Sequence, residues 1–272
     1  MRRRLDAELV GSGRVSVGGQ KAEKPATQVD AAAAVLVTDP EPSDSWVGRG
    51  AGKLDGALDA LSARGLAPRV EGRVCLDAGA STGGFTQMLL ARGAAAVHAV
   101  DVGYGQLAWP LRTDERVHVR ERTNVRDLAA GSLEPAPGLV VADLSFISLA
   151  LVLPALVATS APDAELLLMV KPQFEVGRDK VGTGGVVRDP GLRAEAVVSV
   201  VEVAHGLGLR LVAATASPLP GPSGNVEYFV LLAPGAPGTA EQVRAEVARA
   251  VAQGPDGALA PPEPVAGPGS AR

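Results

Sequence analysis

Four charged residues stand directly after apolar runs. Asp77 follows Val74-Cys75-Leu76, Asp101 follows Ala96 to Val100, Asp143 follows Leu139-Val140-Val141-Ala142, and Lys171 follows Leu166-Leu167-Leu168-Met169-Val170. A charge at the end of a buried strand is costly unless it is paired or points into a cleft. Asp143 and Lys171 end consecutive strands, which argues for an acid and an amine in one shared cleft; a structural ion pair between them is the competing reading. Asp77 opens a glycine-rich bend, Gly79-Ala80-Ser81-Thr82-Gly83-Gly84, and the apolar spacing from Phe85 to Arg92 is helical. Strand, tight turn and helix start form a place where nucleotide-like ligands bind, because glycine lets a backbone approach a ligand with no Cβ between them. Asp101 lies 22 residues beyond Gly79 (101 − 79), where an acidic side chain meets ribose hydroxyls in such folds. An adenosine site is the expectation.

The turn bears on which adenosine compound. The G-x-G-x-x-G of dinucleotide sites seats a pyrophosphate on a helix N-terminus. Here Asp77 to Gly83 reads D-x-G-x-x-x-G, which suits a ligand without phosphate whose ammonium needs a carboxylate and carbonyls nearby. S-adenosylmethionine carries that ammonium. A turn that merely packs a helix on a sheet is the alternative.

The elements that must position these residues follow from periodicity. Strands are expected near 74–77, 96–101, 117–120, 139–142, 165–170, 209–216 and 227–233, with helices near 84–92, 148–159 and 190–207. Regular alternation argues for a parallel α/β sheet with helices on both faces, and ligands in such sheets collect at the carboxyl ends of the strands. Leu54, Leu58 and Leu61 recur at helical spacing between Trp46 and Leu66, with Lys53 beside the apolar stripe, a setting in which most lysines are simply solvated. Ala240 to Val251 reads as one more amphipathic helix.

The chain has 272 residues, enough for one large domain or two modest ones, and 46% are hydrophobic, as in globular chains. Aromatics make up only 3%, so Leu, Val and Ala must build the core. The net charge of −4 gives no global nucleic-acid signal, and any RNA contact has to rest on local basic patches. The lone Cys75 excludes a disulfide framework and a cysteine metal cluster; it reads as a small buried hydrophobe. His98, His118 and His205 lack ligand spacing, so no metal is expected. No apolar h-region follows Met1-Arg2-Arg3-Arg4, and no window approaches a membrane span. The expectation is a cytoplasmic monomer without membrane insertion.

Residues 1–38 hold Arg2, Arg3, Arg4, Arg14, Lys21 and Lys24 and read as a short helix, a hairpin over Arg14 to Gln20 and a strand over Ala31 to Val37, with a solvated arm as the competitor. Residues 39–45 are a linker by their prolines and polar residues. Residues 46–253 form the main domain, and 254–272 are a Pro/Gly/Ala-rich tail expected to be disordered.

Eight runs in order resemble the TlyA family: Arg49-Gly50 to Lys53-Leu54, Asp77 to Phe85, Asp101 to Trp109, Glu121 to Val125, Asp143 to Leu149, Val170 to Glu175, Gly184 to Pro190 and Gly221 to Tyr228. That family comprises haemolysin-like proteins that act as rRNA 2′-O-methyltransferases, with a catalytic domain similar to the FtsJ/RrmJ enzymes, and the likeness covers about Trp46 to Ala233. It implies a Rossmann-like class I methyltransferase sheet whose last strand is antiparallel, and methylation of cytidine ribose in 16S or 23S rRNA with ribosomal subunits as partners. It further implies a catalytic tetrad at Lys53, Asp143, Lys171 and Glu227. For the cofactor it implies Asp77, Gly79, Ser81, Thr82, Gly83 and Gly84 at the methionine end, Asp101 and Val102 at the ribose, and Asn124 and Val125 at the adenine, with Asp143 serving both tasks.

A ribose hydroxyl is a poor nucleophile, so transfer needs an acceptor and an in-line approach to the sulfonium methyl. Lys171 is the base or the orienting group. Lys53 and the sulfonium favour loss of its proton, while Asp143 and Glu227 favour its retention.

The chain also departs from its relatives. Their S4-like N-terminal RNA-binding domain carries a helix-turn-helix where this chain has only Gly11-Ser12-Gly13, so the region is shortened. Gly48 and Gly52 stand where Ser and His are common, and Asp44 where Arg is frequent. Cofactor binding is expected to survive and rRNA affinity to fall. The alternative function is a haemolysin-like or RNA-binding protein with a vestigial methyltransferase fold; an NAD enzyme is disfavoured by the missing G-x-G-x-x-G.

Overall fold

The structure is a computed structural model that describes residues 46–254 without a break, together with residues 10, 15–17, 20–22, 24, 33 and 35–37. The chain divides into two compact units, Met1–Trp46 and Val47–Arg272. In the first, three short antiparallel strands, β1 (Val15–Val17), β2 (Gln20–Lys21) and β3 (Val35–Val37), lie in the order β2-β1-β3. Val10, Val15 and Ala22 bury a small apolar cluster there. The hairpin expected around Arg14 to Gln20 corresponds to β1 and β2. Lys21 belongs to β2, and Lys24 is exposed. Arg2, Arg3, Arg4 and Arg14, the linker 39–45 and the tail from 255 onward lie outside the described residues.

The second unit is built on seven strands: β4 (Val74–Ala78), β5 (Ala96–Val100), β6 (Val117–Arg120), β7 (Leu139–Ala142), β8 (Glu165–Val170), β9 (Leu209–Ala216) and β10 (Tyr228–Pro234). Their order is β6-β5-β4-β7-β8-β10-β9. Neighbours from β6 through β8 pair in parallel, whereas β10 runs antiparallel to both β8 and β9. The fold is therefore the α/β sheet that the alternation predicted, parallel from β6 through β8, with its last strand reversed as the family resemblance implied.

Side-chain alternation distributes apolar residues to both faces of the sheet. Leu76, Val140, Leu168 and Val230 share one buried core with α4 (Leu153–Thr159), α6 (Pro190–Gly206) and α7 (Ala240–Ala252), through Leu156, Val200 and Val247 among others. On the other face Phe229 stacks with Phe85 of α2 (Gly84–Ala91), centroids 6.1 Å apart. The helix α1 (Arg49–Ser62) buries Leu54, Leu58 and Leu61, the stripe seen in the sequence. Each such leucine contributes roughly 1.5–3 kcal/mol on leaving water. Among the described residues no helix is long and apolar enough to cross a membrane.

The helix expected over 148–159 begins instead as a separate 3-10 turn, Leu149–Leu151, before α4. Pro154 explains the break: it has no N–H to donate four residues back and its ring crowds that carbonyl, so it is tolerated in the first turn of a helix and not in its interior. Two further helices, α3 (Trp109–Arg112) and α5 (Pro172–Glu175), are four residues long, too short to leave a periodic signal.

The glycines of the first turn have packing reasons. Gly83 has φ +101°, and a Cβ there would run into Leu111 and lie 2.8 Å from Leu107 Cδ1. A Cβ on Gly84 would come within 2.8 Å of the Ala51 backbone nitrogen, so this glycine sets how closely α2 approaches α1. Gly83→Ala combines a left-handed backbone with overpacking and is expected to cost about 2–3 kcal/mol. Denaturant unfolding checks this; a loss under about 0.5 kcal/mol would show that the α3 leucines yield freely.

Candidate active site

At the carboxyl ends of β4, β5 and β7 lies a cleft of about 480 Å³, lined by Gly79, Ser81, Asp101, Val102, Asn124, Val125 and Asp143 together with Gln106, Thr123, Leu144, Ser145, Phe146, Ile147 and Val152. That size suits a small organic ligand. Asp101 shapes one wall: its Oδ2 accepts from the Ser81 amide at 2.8 Å and its Oδ1 from the Gly103 amide at 2.6 Å. Each carboxylate oxygen keeps a second lone pair for a hydroxyl donor. Thr82, Gly84 and Gly50 line a recess of about 100 Å³ that shares Gly79, Ser81 and Asp143 with the cleft. Gly83 lines neither and packs on α3 instead.

Asp77 sits beneath this turn, fully buried. Thr86 Oγ1 donates to its Oδ2 at 2.7 Å, and its Oδ1 takes no hydrogen bond among the described residues. Burial, with the Asp143 and Asp101 charges adding to it and Thr86 opposing, pushes the Asp77 carboxyl up to about 7. Asp101 and Asp143 line the cleft, while Asp77 lies buried beneath the turn and lines neither space; carboxylates so placed favour a cationic guest and disfavour a pyrophosphate.

The strand order brings together the four side chains that the family resemblance marked. Tyr228 of β10 pairs with Val170 of β8; one step further along that register places Glu227 opposite Lys171. The Ser217 amide continues the pattern by donating to the Glu227 carbonyl at 2.8 Å. Lys53, on the buried side of α1, donates to Glu227 Oε2 at 2.6 Å, and both side chains are almost fully enclosed. A Cβ on Gly221 would lie 2.7 Å from Glu227 Oε1, so a side chain in the loop before β10 would press that carboxylate out of its place. Lys171 Nζ lies 2.5 Å from Asp143 Oδ1. Its geometry makes this a charge contact, since Oδ1 lacks a hydrogen bond of proper angle; the ammonium donates to Ser145 Oγ at 2.9 Å. A Cβ on Gly50, three residues before Lys53, would be 3.9 Å from Asp143 Oδ2, which places the two ion pairs side by side. The competing sequence readings of Asp143 and Lys171 thus coincide: they are an ion pair, and the pair borders the cleft.

This arrangement can hold an incoming hydroxyl between an ammonium and a carboxylate at the edge of a cleft that accepts a cation. The FtsJ-like methyltransferase profile matches residues 46–233. Over 231 residues, 85% of this chain and 84% of the relative, the chain is 59% identical to the 16S/23S rRNA (cytidine-2′-O)-methyltransferase TlyA of Mycobacterium tuberculosis. The chain belongs to the TlyA proteins of the FtsJ-like methyltransferase family. It is also 36% identical to the 23S rRNA (cytidine-2′-O)-methyltransferase TlyA of Campylobacter jejuni, over 69% of this chain and 70% of that one. Among solved structures, a hemolysin candidate from Streptococcus thermophilus superposes with a TM-score of 0.71 at 33% identity, covering 90% of this chain and 88% of that chain.

Sequence reasoning passed over three residues that hold the site together. Thr86 donates to Asp77 from the first turn of α2; a threonine there, nine residues past an acid, gives no signal of its own. Ser145 Oγ accepts a hydrogen bond from Lys171 Nζ, and Glu175 accepts from Ser148 Oγ and the Leu149 amide. Their proximity to Asp143 and Lys171 in the chain was the available sign.

Two outcomes follow. The folded-state carboxyl of Asp77 near 7 lies above its unfolded value, so the folded protein holds this proton more tightly and stability declines as pH climbs from about 4 to about 7. Asp77→Asn removes that slope, and its advantage over the parent should grow by up to about 4 kcal/mol across the window; equal gaps in denaturant unfolding at about pH 5 and about pH 8 would refute this. Lys53→Ala strands a buried carboxylate and should cost about 3–5 kcal/mol, more than the double replacement Lys53→Met, Glu227→Leu. A double-mutant cycle on unfolding free energies checks the order.

Proposed function

We propose that this chain transfers the methyl group of S-adenosylmethionine to the 2′-hydroxyl of cytidine in 16S or 23S ribosomal RNA, acting on ribosomal subunits in the cytoplasm. One observation carries the reading: the chain of charges Lys53, Glu227, Lys171 and Asp143, assembled from α1, the approach to β10 and the ends of β8 and β7, stands at the edge of a cleft suited to a cation. The identity to the mycobacterial relative, over most of both chains, supports the substrate.

Asp101 would take the ribose hydroxyls of the methyl donor, and Val102, Asn124 and Val125 its adenine. Gly79, Ser81 and the carboxylates of Asp77 and Asp143 would surround its methionine end, with Thr82 and Gly84 bordering. When bound, S-adenosylmethionine supplies an electrophilic methyl group on a positively charged sulfur. The protein's residues do the rest. Lys171 donates to the target hydroxyl in the place Ser145 Oγ fills, and thereby orients an oxygen lone pair toward the methyl carbon. Asp143 fixes the ammonium and offsets its charge. Lys53 neutralises Glu227, which leaves a net attraction at Lys171 for the oxygen as negative charge develops on it. The proton leaves late, to solvent or through Asp143. The residues before the linker, with Lys21, Lys24 and the arginines at 2, 3, 4 and 14, would form a shortened S4-like surface for the rRNA.

The test is transfer of labelled methyl groups to unmodified small and large ribosomal subunits, with digestion to nucleosides. Label should appear as 2′-O-methylcytidine, and Lys171→Ala should reduce the rate by about 100-fold or more while leaving binding of the methyl donor intact. Label on a base, or none from folded protein that binds the donor, would overturn the proposal.

A further inference from the structure

Lys171 and α5 grip the loop that carries Asp143 at successive points. Lys171 reaches Asp143 and Ser145. Phe174 packs on Phe146 with ring centroids 5.3 Å apart. Glu175 then takes two bonds, from Ser148 Oγ to Oε2 at 2.6 Å and from the Leu149 amide to Oε1 at 2.9 Å. Ser148 Oγ accepts in turn from the Ala150 amide at 3.2 Å, so Glu175 anchors the start of the 3-10 turn Leu149–Leu151. Between the two anchors stands Phe146, 91% exposed and with φ +64°. A left-handed backbone at a bulky residue is strained and persists only where its surroundings over-determine it.

The two anchors differ in what the reaction asks of them. In the methyl-transfer reading the target hydroxyl takes the place of Ser145 Oγ on Lys171, so that anchor weakens when the loop most needs to be held. The Glu175 anchor lies beyond the reacting groups and is untouched by the exchange. Burial raises the Glu175 carboxyl while its two donors oppose the shift, consistent with a group whose bonds are made inside the protein.

We propose that Glu175 is a positioning residue: its carboxylate pins the loop from Leu144 to Ser148, so that Asp143 keeps the Lys171 ammonium aimed at the target hydroxyl after Ser145 has been displaced. The inference rests on the methyl-transfer reading above. It assigns Glu175 no contact with donor, nucleotide or reacting atoms.

The full chain is compared with Glu175→Ala, Glu175→Gln and Ser148→Ala for kcat and KM on ribosomal subunits, donor affinity by calorimetry, and amide hydrogen exchange over residues 144–151. Glu175→Ala should lower kcat about tenfold, leave donor affinity within about twofold, and speed exchange at Leu149 about tenfold or more. Glu175→Gln should recover part of kcat, because its amide oxygen still accepts the Leu149 N–H, and Ser148→Ala should lose less than Glu175→Ala. A kcat within about twofold of the parent in all three variants, or a loss confined to KM or donor affinity, overturns the proposal, as does unchanged exchange at Leu149. If Glu175→Ala fails to fold, Glu175→Gln and Ser148→Ala decide by the same measures. Absence of transfer by the parent protein would instead strike the functional reading, and the exchange measurement would still report whether Glu175 holds the loop.

Discussion

Two lysines withdrawn from water against two carboxylates are the constraint around which this domain is arranged. A buried ion pair adds little net stability, because the cost of desolvation consumes most of the attraction, yet removing one partner leaves an uncompensated charge. The fold must therefore bring Lys53 and Glu227, 174 residues apart in sequence, to 2.6 Å or tolerate neither. It does so by laying α1 across the sheet and by pairing β10 with β8, so that the residue before β10 meets the residue after β8. The parallel pairing of β7 with β8 in turn sets Lys171 within reach of Asp143. Sheet topology and chemistry are thus one geometric fact here.

Close approach of backbones is the second device. Gly83, Gly84 and Gly221 sit where neighbouring segments pack closely, and the groups a side chain would press on there belong to Leu107 and Leu111, to the α1 backbone, and to Glu227, whereas a Cβ on Gly50 would make only ordinary contact with Phe85 and Asp143. Gly79 approaches the carbonyl of Asp143, at 2.8 Å from a built Cβ, on the wall of the cleft. The glycines that look like a ligand-binding signature are largely the means by which helices press against a charged centre, leaving the cleft itself to Ser81, Asp101 and the loops beyond β6 and β7.

The sheet was legible in the sequence because its strands are short apolar runs that end in charges, and each expected strand lies within a residue of the observed one. Asp77, Asp101, Asp143 and Lys171 showed themselves by position alone. Lys53 and Glu227 did not: a lysine beside a leucine stripe looks like an ordinary solvated residue, and a glutamate before a strand announces nothing until strand order is known. Only the family resemblance pointed to them. Ser145, Glu175 and Thr86 escaped for a related reason, since hydrogen bonds between loops leave no periodic trace. The break before α4 was readable in principle from Pro154, and the four-residue helices were not.

The position of β10 has a consequence for how the molecule comes into being. It is the last strand of the sheet to be synthesised, yet it lies inside the sheet, between β8 and β9. While a ribosome is still translating the preceding segment, β8 and β9 have no common partner and Glu227 has not emerged to meet Lys53. Sheet closure and assembly of the charged centre are thereby joined in one late event of biosynthesis, so a chain cut short before this strand lacks both the Lys53–Glu227 pair and a finished sheet.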